Sequence, residues 1–392
     1  MTLKNYFRLM AEDQPYTNRW SWFWRPVLWL ASLLYGIMIR VRRFLHQMGV
    51  LKQRAFACPV IGIGNITWGG TGKTPLVEYV SRFFINRGNV PLILAHGYGD
   101  DENKMLIRQL RGAEFGIDKD RYAAGKKVCA ARKIDVIILD DAFQHWQIKR
   151  DLDIVTINVL NPFGNSSLIP KGILREPLSA LKRASVVVLA DVNLTPRKEL
   201  DALKSRIRSV APKVDFIEAH REGLYFYRPG SRERISADRF QGKRITSFSG
   251  IGTPRSFQML LDQLGVKVVR NFEFCDHHRF IDRELEEILE AKKSSESEEV
   301  ITTEKDYLRC EESIGKILNP LVLKVRLRLT DGEALLHQYL SRFAVSRPSE
   351  FHGPRHHRFN PRMKHHREHA PTKSEGNEAV LKVDSEKGAP QQ

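Results

Sequence analysis

At 392 residues and a formal net charge of +17, the chain is long enough for two ordinary domains with cores of their own. Its four cysteines (Cys58, Cys129, Cys275, Cys310) are dispersed with no Cys-x-x-Cys pair, which excludes a disulfide framework and a structural zinc site and points to a reducing compartment. The positive balance asks for an anionic partner. With no nucleic-acid-binding signature present, that partner is a phosphorylated substrate or an anionic membrane surface rather than nucleic acid.

The first element is the apolar stretch Trp20 to Arg43. Its uncharged run Pro26–Ile39 makes a helix of about 21 Å at 1.5 Å per residue, short of the roughly 30 Å of a bilayer core. Tryptophans on one flank and arginines on the other suit a membrane interface. The expectation is a helix lying on a membrane, peripheral or monotopic. A helix packed on the protein's own core is the alternative, although four tryptophans between Trp20 and Trp29 are unusual for one. Charge follows the apolar run and no small-residue cleavage site is evident, so it does not read as a cleaved signal.

Next comes the apolar run Pro59-Val60-Ile61-Gly62-Ile63, then Gly64-Asn65-Ile66-Thr67-Trp68-Gly69-Gly70-Thr71-Gly72-Lys73-Thr74-Pro75, then a helical pattern over Leu76 to Phe84. Strand, glycine-rich turn and helix start are the setting in which a Gly-Lys-Thr loop holds nucleotide phosphates. Backbone N–H groups turn toward the anion, and the helix N-terminus adds partial positive charge. Thr67 to Lys73 form the turn, Lys73 reaches the outer phosphates, and the Thr74 hydroxyl faces Mg²⁺. Thr67 stands where the usual spacing has a glycine.

Strands are predicted at Val60–Ile63, Pro91–Ala95, Val136–Leu139, Ile154–Asn158 and Val186–Ala190. Their alternation with helical patterns predicts a mainly parallel sheet covered on both faces, with the site at the strands' carboxyl ends. Charged clusters fall there. Asp100-Asp101-Glu102 follow the Pro91–Ala95 strand as metal-linked groups, basic catalysts or a solvated acidic loop. Asp140-Asp141 end the next strand, where a phosphate-loop protein keeps its Mg²⁺ acid. Asn161-Pro162-Phe163-Gly164-Asn165 read as a turn. Arg175 reads either as a clamp on a phosphate or as an ion-pair partner of Glu176.

A second α/β unit is predicted with strands Ile245–Phe248, Val266–Phe272 and Val300–Thr303 and a helix near Asp282–Lys293. Val214–Tyr227 and Leu321–Leu329 look extended enough to pair as a connector. Asp276-His277-His278 lies after a strand-like run, and Thr303 with Asp306 forms a variant capping box. Residues 346–392 read as a disordered basic tail. Its six histidines (His352, His356, His357, His365, His366, His369) make a metal-binding tail the less favoured reading.

Taken in order, Asn-x-Thr-x-Gly-Gly-Thr-Gly-Lys-Thr-Pro, Gly-Tyr-Gly with a following Asp-Glu, Asp-Asp-Ala-Phe-Gln-His, Arg-Asp-Leu-Asp-Ile, Asn-Pro-Phe-Gly-Asn, Leu-Arg-Glu-Pro-Leu, Gly-Ile-Gly-x-Pro, Asp-His-His and Thr-Thr-Glu-Lys-Asp resemble the tetraacyldisaccharide 4′-kinase family over roughly residues 20–345. The resemblance implies two α/β/α units joined by a two-stranded linker, with a membrane-associated N-terminal helix. In those terms residues 1–50 form the membrane-interface region, 51–213 the phosphate-loop kinase domain, 214–243 a β connector and 244–345 the second unit with the return strand. It also implies an ATP- and Mg²⁺-dependent enzyme at the cytoplasmic face of a bacterial inner membrane, or in a plant organelle. That enzyme phosphorylates the 4′-hydroxyl of tetraacyldisaccharide 1-phosphate, a glycolipid, to give lipid IV-A.

By motif, the resemblance assigns Asp101 as general base assisted by His277. Asp140, Asp141, Thr74 and Glu102 fall to the metal, and Arg175, Glu176, Gln144 and His145 to the substrate. Two departures stand out: Ala95-His96 replace the Ser-Arg or Thr-Arg of most members, and Asp100 replaces a glycine. The alternatives are a metallochaperone or positioning NTPase with a deviant loop, and a nucleotide-regulated membrane scaffold without transferase activity.

Overall fold

The structure is a computed structural model that describes residues 21–97, 100–231 and 233–345. Residues 346–392 with their histidines, and the first residue of the apolar stretch, lie outside that range.

Eleven strands join in one sheet. In chain order they are β1 (Val60–Asn65), β2 (Pro91–Ala95), β3 (Glu114–Ile117), β4 (Val136–Asp140), β5 (Leu152–Asn158), β6 (Val186–Ala190), β7 (Asp215–Tyr227), β8 (Arg244–Ser249), β9 (Lys267–Glu273), β10 (Glu299–Thr303) and β11 (Leu321–Asp331). Their order across the sheet is β3-β2-β4-β1-β5-β6-β7-β11-β10-β8-β9. β1, β2, β4 and β6 are buried along their whole length, which is why they read as unbroken apolar runs and not as alternating ones. The result is the mainly parallel α/β fold that the pattern predicts. The short strand β3 was not expected. It carries only four residues around Gly116, too few to leave a periodic signal.

All neighbouring strands run parallel except β7 and β11, which pair antiparallel from Val322 opposite Tyr227 to Asp331 opposite Glu218. This ribbon explains where the site lies. β6 pairs with the start of β7, at Asp215–Ala219. β10 pairs with the start of β11, at Leu321–Leu323, opposite the far end of β7. The two halves therefore hang from opposite ends of one ribbon, and in each half the strands point toward the other. Loops at the carboxyl ends of β1, β2 and β4 face loops at the carboxyl ends of β8 and β10. The Asp100–Gln109 helix strengthens the junction: its Met105 is buried with Phe248, Phe280 and Val322 of the second half.

The N-terminal helix runs Ser21–Gln47 and continues through Pro26. It touches the body through small and polar residues. Ser32 Oγ donates to Leu168 O at 2.8 Å and accepts from Lys171 N, and Tyr35 donates to Arg175 O. Trp29, Leu30, Leu34, Ile37, Met38, Val41 and Phe44 face outward and are exposed. The helix thus packs on the body along one side and leaves its apolar face uncovered among the described residues. Among the described residues, no helix is long and apolar enough to cross a membrane.

Candidate active site

A cleft of about 730 Å³ opens between the facing loops. One wall is the phosphate-loop turn. Gly72 adopts a left-handed conformation (φ +87°) immediately before the Lys73–Ile85 helix, a geometry glycine takes without strain. From beneath, Thr71 Oγ1 is held by Asn65 Nδ2 at 3.0 Å and by Thr156 Oγ1 at 2.9 Å. From above, the loop after β8 presses on it: a Cβ added to Gly252 would stand 2.2 Å from Gly70 N. Only a glycine permits so close an approach, which gives the Gly-Ile-Gly-x-Pro motif its physical reason.

The paired acids share this wall. Lys73 Nζ stands 3.5 Å from Asp141 Oδ1. Arg175 Nη1 donates to both Asp141 oxygens at 2.9 Å. Asp141 itself has a left-handed backbone (φ +47°), steadied by its N–H donating to Asp140 Oδ1 and by Arg121 gripping the Asp140 and Asp141 carbonyls. Burial works to raise the Asp141 pKa, yet Lys73 and Arg175 outweigh it and hold the carboxyl down at about 2. Asp140 goes the other way. Burial, with the neighbouring charges of Glu102 and Asp141, pushes its carboxyl up. Crowded acids with one raised pKa are a place where a cation belongs.

The opposite wall is formed by His277, Lys305 and Arg309 of the second half, and the Asp100–Gln109 helix that follows β2 brings Asp101 and Glu102 up against it. Asp101 is buried, with Arg309 donating to its Oδ2 at 2.6 Å through Nη2. His277 Nδ1 lies 3.9 Å from the same oxygen, beyond direct hydrogen bonding. Glu102 pairs with Lys305. Burial tends to raise its pKa, but Lys305 and then Lys73 reverse the sign and hold it well below the usual carboxylate range. Its charge is thus compensated by Lys305, as that of Asp141 is by Lys73 and Arg175. Thr303 caps the Glu304–Arg309 helix, accepting from Asp306 N at 3.2 Å as the sequence predicts. Asp306 does not return the bond to the cap backbone. Its carboxylate accepts from Gly250 N, Thr303 Oγ1 and Arg309.

Trp68, Gly69, Gly70, Thr71, Gly72, Lys73, Thr74, Asp101, Glu102, Asp140, Asp141, Arg175 and His277 all reach the cleft. Four other expected residues do not line it. Thr67 is buried and bridges to Leu174. Glu176, 2% exposed, pairs with Arg183 at 2.9 Å, so the expected alternative of an Arg175–Glu176 ion pair does not form. Gln144 bridges Asn65 O, Glu176 and Arg175. His145 is half-buried behind the acids, and burial with Arg121 and Arg150 nearby lowers its pKa to about 4. Glu176 and Gln144 instead form a bonded chain that ends on Arg175.

Lys305, Arg309 and Arg121 were not singled out from the sequence. The Thr-Thr-Glu-Lys-Asp motif contained the signal for Lys305, but a cap reading accounts for it fully without the cleft. Arg-Asp-Leu-Asp-Ile is scaffold: Arg150 pairs with Asp153 at 2.6 Å, and Asp151 accepts from Val60 N.

The residues present fit Mg²⁺. Among the described residues, no group of three or more His, Cys, Asp or Glu side chains forms a metal cage. Thr74, Asp140 and Asp141 instead offer the sparse oxygen set of an ion that takes its other ligands from phosphates and water.

A sequence model of the tetraacyldisaccharide-1-P 4′-kinase family matches residues 24–344. A probable mitochondrial tetraacyldisaccharide 4′-kinase of Arabidopsis thaliana is 35% identical over 78% of this chain and 86% of its own length. The tetraacyldisaccharide 4′-kinase of Halothermothrix orenii is 31% identical over 81% and 93%. Among solved structures, LpxK from Aquifex aeolicus in complex with ATP superposes with a TM-score of 0.61 at 26% identity, over 82% of this chain and 99% of that one. With the family model matched over residues 24–344 and relatives above 30% identity over most of their own length, the chain belongs to the tetraacyldisaccharide 4′-kinase family.

Proposed function

We propose that this protein transfers the γ-phosphoryl group of ATP to the 4′-hydroxyl of tetraacyldisaccharide 1-phosphate, giving lipid IV-A. The observation that carries the reading is the meeting of two charge sets across one cleft: Lys73, Asp140 and Asp141 on one wall and Asp101 with His277 on the other. Phosphoryl transfer needs positioning and charge neutralisation more than covalent help from the protein. The loop from Trp68 to Gly72 and Lys73 bind the β and γ phosphates. Thr74, Asp140 and Asp141 hold Mg²⁺, which neutralises phosphate charge when bound. Arg175, freed from Asp141, binds substrate phosphate. Asp101 accepts the proton of the sugar hydroxyl, and His277 flanks the hydroxyl's path. In this reading residues 51–213 bind the nucleotide, 214–243 and the return strand form the connector, and 244–345 close the site.

The acyl chains call for a membrane surface. The outward face of the Ser21–Gln47 helix, with Trp29, Leu34, Ile37 and Met38 exposed, is the surface we assign to it. Arg25, Arg40, Arg42 and Arg43 match anionic headgroups. The location is the cytoplasmic face of a bacterial inner membrane, bound peripherally. The alternative of a plant organelle rests on the Arabidopsis relative.

Labelled ATP incubated with tetraacyldisaccharide 1-phosphate in detergent tests the reading. The expected result is a labelled lipid whose formation drops about 10²–10⁴-fold in Asp101→Asn. ATP binding or hydrolysis without any labelled lipid would favour the scaffold or metallochaperone alternatives and reject the kinase.

A further inference from the structure

Arg309 is the most heavily bonded side chain of the second wall. Its side chain is 7% exposed. Nε and Nη2 donate to Asp101 Oδ2 at 3.2 and 2.6 Å. Nη1 donates to Asp306 Oδ1 at 2.9 Å, to Gly250 O at 3.1 Å and to His278 O at 3.2 Å. One guanidinium thereby ties together the start of the Asp100–Gln109 helix, the loop after β8, the His277-His278 turn and its own helix.

These partners are the framework of His277. Gly250 O also accepts from His277 N at 3.1 Å, and His277 takes a left-handed backbone (φ +58°), which costs energy unless neighbours enforce it. Arg309 braces the carbonyls on both sides of that turn. Its two bonds to Asp101 fall on the same oxygen, Oδ2, that His277 approaches. Among the described residues Oδ1 makes no hydrogen bond, so it is the atom left to face an incoming hydroxyl. A planar, permanently charged fork suits this task, while a lysine supplies only a point charge.

We propose that Arg309 is the positioning residue of the Asp101–His277 pair, fixing the base and the histidine turn in one frame so that Asp101 Oδ1 meets the substrate hydroxyl. This rests on the kinase reading and adds to it a residue from the half of the chain that carries no phosphate loop. Misplacement of a catalytic group by about 1 Å costs on the order of 10² in rate.

The test compares Arg309→Lys, Asp101→Asn and the double variant in lipid phosphorylation, alongside hydrogen–deuterium exchange of the full chain. Arg309→Lys is expected to lower kcat by about 10–10² with KM for ATP unchanged. The double variant is expected to be no slower than Asp101→Asn alone, because Arg309 acts through Asp101. Exchange should quicken together in residues 100–104 and 274–279 while residues 70–85 stay as in wild type. Multiplicative losses in the double variant, a loss confined to KM for ATP, or unchanged exchange in both segments would overturn the proposal. If wild-type protein labels no lipid, the kinase reading fails by itself, and the exchange pattern still decides whether Arg309 holds the two segments. Should Arg309→Lys not fold, Asp306→Asn/Arg309→Gln removes one buried charge of each sign and takes its place.

Discussion

The two walls of the cleft carry charge in different ways. On the phosphate-loop wall, Lys73, Asp141 and Arg175 are 15%, 35% and 26% exposed at their side chains. On the opposite wall, Arg309, Asp101 and Asp306 are 7%, 3% and 0% exposed, while its outer pair Lys305–Glu102 is 26% and 24% exposed. Ion pairs partly open to water are worth less than buried ones and exchange partners more readily. Buried pairs resist separation, because losing one partner strands the other's charge. The first wall is built to let Lys73 and Arg175 leave Asp141 for a phosphate. The second is built to stay still while a hydroxyl arrives. The difference teaches that a site handling a highly charged substrate keeps its exchangeable charges and its fixed charges apart.

Substitutions on each wall sharpen this contrast. On the exchangeable wall, turnover falls without loss of fold. Lys73→Ala lowers kcat by about 10²–10³, the typical cost of removing one stabilising group at the transferring phosphate. It shifts Tm by no more than about 2–4 °C, because Arg175 still holds Asp141 once Lys73 is gone. A collapse of stability in that variant, measured by thermal melting, would break the comparison. Behind the same wall lies a fixed pair. Arg183 stacks 4.2 Å over Phe143 and 4.1 Å over Trp146 while holding buried Glu176. Arg183→Ala leaves that carboxylate unpaired and costs about 3–5 kcal/mol in urea unfolding, with Arg183→Lys intermediate. An Arg183→Ala protein as stable as wild type would show that Glu176 is not held as described.

The smallest effect is a pH dependence. His145 has its pKa lowered by burial, then by Arg121 and Arg150, from 6.5 to about 4 in the folded state. Between those values the unfolded chain binds more protons than the folded one. Stability is therefore full above pH 6.5 and declines as pH falls toward 4. His145→Asn should flatten that part of the stability profile and leave it unchanged above pH 7. A decline of the same size in the variant would assign it to other groups.

The exchangeable wall was largely legible in the sequence, and the fixed wall was not. Thr67–Thr74 and Asp140-Asp141 are contiguous motifs whose chemistry follows from local backbone geometry, so strand–turn–helix reasoning finds them. Arg309 meets Asp101 across 208 residues, and Lys305 meets Glu102 across 203. Nothing local marks either cation, since a Lys or Arg in the first turns of a short helix is ordinary. The fold shows the same divide. Fully buried strands announced themselves as apolar runs, and β7 with β11 as extended segments. What the runs do not encode is that the ribbon's register turns both sets of carboxyl ends toward each other. Glu176, Gln144 and His145 are motif neighbours of Asp141 and Arg175, but in space Glu176 turns to Arg183 and Gln144 to Asn65 O, which no local pattern encodes.

The claim beneath all of this is that the two walls converge on a single transferring phosphate. It is tested most directly by a crystal structure with Mg²⁺ and a non-hydrolysable ATP analogue. A hydroxyl about 3–3.5 Å from phosphorus and within about 3 Å of its base requires the γ-phosphate to lie no more than about 6 Å from the Asp101 carboxylate, with Lys73 on its other side. That arrangement, with Asp141 released by Arg175, is the predicted result. A γ-phosphate directed away from Asp101, with Arg175 still bound to Asp141, would contradict it.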